Sequence, residues 1–240
     1  MQRAVLTRLH LSASALKYLA LLAMTADHIA VICRPVPGFR TFGDLAFPLF
    51  AFLLVEGFFH TRDRRRYERR LLLAAAVSEI PYDLAFSGRW MDAQHQNVCL
   101  TFFLALVAME LLERYGNGIW EKLVLTAVFC TLTEAAGADG GAWGMGLVLA
   151  FYFCVIGNSG TNVPRHIFFH EKTAGVFMKM IAAVLIGAFA WQEPLWVLAL
   201  TAVCFMLYDG SRGRSRFRSF FYVYYPAHLL TLYFVGKWLG

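Results

Sequence analysis

The sequence predicts an all-α fold, a polytopic bundle of about nine transmembrane helices whose N-terminus is cytoplasmic, and three observations predict it. Of 240 residues, 59% are hydrophobic and 16% charged, with mean hydropathy +0.54. Soluble domains run nearer to half apolar and a quarter charged. Apolar stretches of about 17 to 20 residues recur along the chain, the length a helix needs to cross a bilayer. Basic residues collect at the ends of alternate stretches, as the positive-inside rule requires. No polar region is long enough for a separate soluble domain, so residues 1–240 read as one integral membrane domain. The strand-length alternation of an outer-membrane barrel is absent.

The predicted spans are about 14–33, 42–60, 71–87, 97–113, 119–137, 141–157, 174–191, 194–209 and 219–236. The first follows the basic MQRAVLTRLHLSAS and lacks a small-residue cleavage site, so it reads as a helix and not as a removed signal peptide. In the second, Pro48 should kink the helix. In the third, SEIPYDLAF, Pro81 should break it. The sixth opens on GGAWGMG, a glycine-rich start that suggests a re-entrant or broken helix. Residues 158–173 read as a cytoplasmic loop. With the N-terminus inside, 18 of the 22 Lys and Arg face the cytoplasm, and only Arg34, Arg40, Arg89 and Lys237 face outward. Topology thus explains the +6 charge. Membrane lipids are the expected surroundings, and nucleic acid is not an expected partner. Cys33, Cys99, Cys130, Cys154 and Cys204 form no CxxC pair and read as packing residues.

Ionisable residues inside spans are costly, and they point to partners or to a polar cavity. Asp27 and His28 interrupt LALLAMTADHIAVIC in the outward half of the first helix. A carboxylate near an imidazole can orient it for proton transfer, but adjacent helix residues do not face each other. Asp27 therefore orients His28 only through their sharing one cavity, or has another partner. Asp44, Asp83, Asn97 and Asp139 map to the same outer half, either as one polar site or as an outward-facing polar surface. Glu56 lies 12 residues from Asp44, roughly 18 Å along a helix, so it belongs to the inner end. It reads equally as an ion-pair member or as a catalytic group. Glu79 accompanies Asp83 in the third helix, and Tyr225 and His228 lie mid-span in the last. The two histidines lack a third ligand at recognisable spacing, so no metal site is expected. The run TRDRRRYERR carries Arg62, Arg64, Arg65 and Arg70, and Arg212 opens a second basic loop. Guanidinium groups there would suit the phosphates of a coenzyme or of anionic lipid, or would serve topology alone.

Taken in order, Ala26-Asp27-His28, Ala46 to Phe52, Glu56-Gly57-Phe58, His60-Thr61-Arg62, Tyr67, Arg70-Leu71, Ser78 to Leu84, Asn97, Asp139-Gly140, Gly210 with Arg212-Gly213, and Phe221 to Leu229 resemble the signature of the TraX family. The resemblance covers almost the whole chain. It implies an inner-membrane protein linked to conjugation, since the family's named activity is N-acetylation of the pilin amino terminus, with acetyl-CoA as co-substrate. It also implies a distant similarity to membrane acyltransferases of surface glycans, whose catalytic histidine stands where His28 does. The sequence departs from the family pattern at Asp44, where arginine is favoured after glycine.

The expected function is therefore acyl transfer from acetyl-CoA to an amine, such as the N-terminus of a pilin precursor, or to a surface-glycan hydroxyl. His28 would be the general base, Asp27 would hold its tautomer or balance its charge, and His228 would polarise the thioester or stabilise the oxyanion. The coenzyme phosphates would lie near Arg62, Arg64, Arg65, Arg70 and Arg212. Two other classes fit the same residues. A proton-coupled transporter uses intramembrane carboxylates and histidines, and a non-catalytic assembly protein would only hold pilin in the membrane.

Overall fold

The computed structural model describes residues 10–159, 195–213 and 220–239. The predicted span 174–191, and most of the predicted loop at 158–173, lie outside the described residues.

The described chain is helical, with eight helices longer than ten residues. Helix α1 (Ala13–His28) starts at Ser12, whose side chain accepts from the Ala15 N–H, and runs on into a π turn at Ile29–Cys33. A short α2 (Phe39–Gly43) leads into α3 (Ala46–His60) and α4 (Arg64–Phe86). Then follow α5 (Val98–Tyr115), α6 (Ile119–Ala135), α7 (Gly141–Ser159), α8 (Leu195–Leu207) and α9 (Phe220–Leu239). Among the described residues, two stretches, Ala13–Cys33 and Phe39–His60, are long and apolar enough to cross a membrane.

Three local expectations are corrected. Helix α4 starts at Arg64, not near 71, because Asp63 caps it by accepting from the Arg66 N–H at 2.9 Å. The arginine run is therefore mostly helix and not loop. Pro81 does not break α4. One missing N–H costs one bond, and Ala74, Ala75, Ser78, Asp83 and Leu84 are buried on both sides of it. Nor is 141–157 broken. Helix α7 is continuous, and Met145, Val148, Phe151 and Tyr152 bury one face. The Pro48 expectation stands apart from these, since the span predicted at 42–60 is interrupted at Asp44–Leu45, between α2 and α3, four residues before a proline that has no N–H to offer the Asp44 carbonyl.

Helix α3 is the central element, with Leu49, Phe52, Leu53, Val55 and Phe58 buried. It packs on α1, α5 and α7, while α9 packs along α4 and over the π turn. An isolated pairing ties the chain at each end. Leu11 donates to the Leu207 carbonyl at 2.8 Å and accepts from the Asp209 N–H at 3.0 Å. Gln96 donates to Gly137 and accepts from Asp139, both at 2.9 Å.

The contact of α2 with α1 depends on Gly43. A Cβ there would stand 2.3 Å from the Asp27 Cβ, so something must move. Gly43→Ala is expected to lift α2 from α1 and cost about 1–3 kcal/mol. A thermal melt in detergent checks this, and an unchanged midpoint would remove the claim that close approach fixes α2.

Candidate active site

His28 is the last residue of α1, at the point where helical phase changes. The Arg34 N–H bonds to the Ile29 carbonyl five residues back, at 3.1 Å. Such π turns recur at functional sites because they redirect a side chain. Here the ring is directed at α9. The Nδ1 of His28 lies 2.8 Å from the Nε2 of His228, and both residues are buried, at 8% and 7% exposure. The rings are within 8° of parallel with centroids 5.0 Å apart. With so short an N–N distance, that is an in-plane, edge-to-edge hydrogen bond and not a face-to-face stack.

The partners fix the protons. The Nδ1 of His228 lies 3.0 Å from the Tyr224 carbonyl, which only accepts, so Nδ1 carries hydrogen. In the neutral ring, Nε2 of His228 then accepts from Nδ1–H of His28. Both nitrogens of His228 are thereby engaged. The Nε2 of a neutral His28 is left with its lone pair. Tyr224 braces the pair, its ring 5.1 Å from His228 and within 9° of parallel. Its hydroxyl lies 2.8 Å from Thr25 Oγ1, and Thr25 donates its own hydrogen to the Leu21 carbonyl at 2.7 Å. The Tyr224 hydroxyl is therefore the donor to Thr25. Phe86 meets His28 edge-on at 5.3 Å, and Tyr225 stands 6.5 Å away.

Around this pair stand the other outer-half residues predicted from sequence. Asp27 points away from the imidazole and pairs with Arg40 at 3.6 Å. The expectation that Asp27 holds the His28 tautomer is corrected, since His228 does so. In this arrangement both His228 nitrogens are engaged, one with His28 and one with the Tyr224 carbonyl. Asp44 and Asp139 lie within electrostatic reach of Asp27. Tyr82 packs on Phe86 at 4.8 Å and has Glu79, Asp83, Asp92 and Asp139 around it. Asn97, fully buried, caps α5 by accepting from the Cys99 N–H at 3.1 Å. Its amide donates to the Ala75 carbonyl at 2.9 Å and to the Glu79 carboxylate. Asp83, 3% exposed, accepts from the Asp92 N–H at 2.8 Å. One oxygen each of Ser78, Glu79 and Asp83 is buried without a hydrogen-bond partner among the described residues. The outer-half convergence is thus one region in space, with carboxylates beside a histidine pair.

The basic residues gather at the opposite end. A pocket of about 550 Å³ is lined by Phe59, Thr61, Arg62, Asp63, Arg64, Arg65 and Glu113. Arg70 and Arg212 do not line it. Arg70 lies over the Tyr67 ring and bonds the Tyr222 hydroxyl, and the Arg212 carbonyl accepts from Ser14 at 2.8 Å. Glu56 is buried at this same end, where it accepts from the Tyr208 hydroxyl at 3.0 Å and meets His60 at 3.4 Å. It is partnered, and remote from the histidines.

Near the pocket, burial, followed by the hydrogen bond and charge of Glu110, pushes the Glu68 carboxyl up from 4.5 to about 7. The folded protein then keeps this proton longer than the unfolded chain. That contribution to stability is complete below the ordinary carboxylate pKa and is lost as pH rises through about 7. The melting midpoint is expected to fall across this window, and Glu68→Gln to flatten the fall. An equal slope in the variant would exclude Glu68 as its source.

Sequence reasoning missed Tyr224, Thr25, Arg40, Phe86 and Glu113. Only Tyr224 carried a signal, standing four residues before His228 on the same helical face. The others depend on contacts distant in sequence.

The family model described as TraX protein matches residues 12–236. The chain is 29% identical over 240 residues to the "Probable fimbrial assembly protein FimC, serogroup H1" of Dichelobacter nodosus, covering 92% of this chain and 94% of that one. No solved structure matches. The match runs from the cap of the first helix almost to the end of the last, through both histidines, and the chain belongs to the TraX family.

Proposed function

We propose that this protein is a multi-pass inner-membrane acyltransferase that moves an acetyl group from acetyl-CoA to an acceptor at its outer end. The observation that carries the proposal is the directed hydrogen-bond chain from His28 through His228 to the Tyr224 carbonyl, which leaves His28 Nε2 as a base. In the step, an acceptor amine or hydroxyl attacks the thioester carbon and loses its proton to Nε2. A C–N or C–O bond forms, the C–S bond breaks, and Nε2 returns the proton to the departing thiolate.

The arginine pocket suits the coenzyme phosphates. It lies at the far end of α3 from the histidines, about 20 Å along the helix, so the coenzyme's long arm would carry the acyl group through the bundle. Apolar side chains on the outside support a lipid setting. Leu73, Val77 and Ile80 line one exposed face of α4, and Val124, Val128 and Leu132 one face of α6. Soluble monomers rarely expose such stripes. Family membership, together with the fimbrial assembly relative, supports pilin as the acceptor. The glycan hydroxyl is the other acceptor class.

The test is transfer of label from acetyl-CoA by detergent-purified protein, with a pilin N-terminal peptide and an oligosaccharide as acceptors. Acceptor-dependent label in the wild type and its loss in His28→Gln is the expected result. The relative's name favours one other reading, a non-catalytic assembly role. No transfer to either acceptor, with pilus assembly intact in His28→Gln cells, would establish that reading instead.

A further inference from the structure

We propose that Glu113 is an internal stand-in for a phosphate, occupying Arg64 until a soluble nucleotide phosphate entering the 550 Å³ pocket displaces it. The inference deepens the coenzyme reading and rests on it for the ligand's source. The two guanidinium nitrogens of Arg64 reach both Glu113 carboxylate oxygens, Nη2 to Oε1 at 3.2 Å and Nη1 to Oε2. This is the two-point fork that guanidinium also offers to phosphate. The fork is held in place from behind, because the Arg64 guanidinium lies 4.1 Å over the Phe58 ring and Phe58 is buried. Glu113 hangs from the last turn of α5 and is half exposed, so it can swing out while Arg64 stays braced.

The charges around the pocket call for an anion. Of its two carboxylates, Asp63 is committed to the Arg66 backbone and side chain, at 2.9 and 3.3 Å, and Glu113 to Arg64. Arg62 and Arg65 line the pocket without an ion pair among the described residues. Arg64, Arg65 and Arg66 also fill the first turn of a 23-residue helix that has no acidic residue there. That end of the helix carries positive partial charge and favours anions. Of the three cations placed at it, Arg64 is paired with Glu113 and Arg66 with the capping Asp63, so an incoming phosphate would gain Arg64 by displacing Glu113 and could reach Arg62 and Arg65 as well.

The test uses adenosine 3′,5′-bisphosphate as probe, a soluble coenzyme-head fragment with no acyl group, so binding is read apart from transfer. The full-length protein is placed in nanodiscs of neutral lipid, and binding is measured by calorimetry. Glu113→Gln is expected to tighten binding about tenfold by removing the competitor. Arg64→Lys, which keeps the charge and loses the fork, is expected to weaken it about tenfold. Each variant's melting midpoint is followed alongside, and an exposed pair of this kind contributes little to folding. Unchanged or weaker binding in a folded Glu113→Gln protein would overturn the proposal. So would a wild type that ignores the bisphosphate in neutral lipid but is stabilised by anionic lipid through Arg64. Bisphosphate binding with the expected ranking, without any acyl transfer, would sustain this proposal and sink the enzymatic one.

Discussion

Replacing His28 with glutamine is expected to lower acyl transfer by about 10²–10⁴-fold, the usual worth of a positioned general base, with the protein still folded. A glutamine amide stands where Nε2 does and not where Nδ1 does, so His28→Asn, whose amide can take the Nδ1 position and donate to His228 Nε2, is the companion variant that keeps the hydrogen-bond chain to Tyr224 and loses only the base. The effect of losing the base should fall on kcat, since the group acts on the proton in flight and not on the resting coenzyme. His228→Phe is a different lesion. It keeps a ring beside Tyr224 but leaves the His28 Nδ1–H without an acceptor, so the imidazole loses its fixed tautomer. A smaller loss, about 10–100-fold, is expected, with an altered pH profile because His228 no longer conditions the base. Steady-state rates against pH for the three proteins decide the matter. A fully active His28→Gln would end the role assigned to His28, and a profile unchanged in His228→Phe would end the orienting role of His228.

The second large effect is structural. Asn97→Ala is expected to destabilise the fold by about 2–3 kcal/mol, combining a lost helix cap with a buried acceptor left unpaired. Asn97 is fully buried and does three tasks at once. It caps α5 through the Cys99 N–H, holds α4 through the Ala75 carbonyl, and supplies a donor to Glu79. In alanine all three end together, and Glu79 already has one oxygen without a partner. For a chain of this size the melting midpoint should drop by roughly 4–12 °C. Asn97→Asp should retain the cap yet also be destabilised, because a second carboxylate would meet Glu79. A melt of Asn97→Ala within a degree of wild type would show that the α4–α5 contact does not depend on this side chain.

The elements were legible in the sequence wherever an apolar run was bounded by turn chemistry. Helix α5 was expected at 97–113 and is found at Val98–Tyr115, because Asn97 caps one end and Gly116 closes the other. Helix α4 was expected to begin near 71, because a run of arginines reads as solvated loop. The Asp63 cap, the real start signal, lay inside that run. Pro81 was over-read, since packing on both sides outweighs one missing bond. In the site, His28 and His228 were each conspicuous as polar residues in apolar helices, but nothing local says that they touch. The sequence places Asp27 near His28 only through a shared cavity, because consecutive helix positions diverge by about 100°, and it does not say which other partner Asp27 has. The true partner of Asp27, Arg40, is set by the close approach at Gly43.

The histidine contact joins residues 200 positions apart. A ribosome delivering this chain to the membrane makes one half of the pair almost at once and the other half almost last. Every nascent intermediate therefore carries an unfinished centre, and it is completed only when α9 docks on α4 and the π turn. A chain cut short before its final helix would lack His228, and with it the group that fixes the orientation of His28.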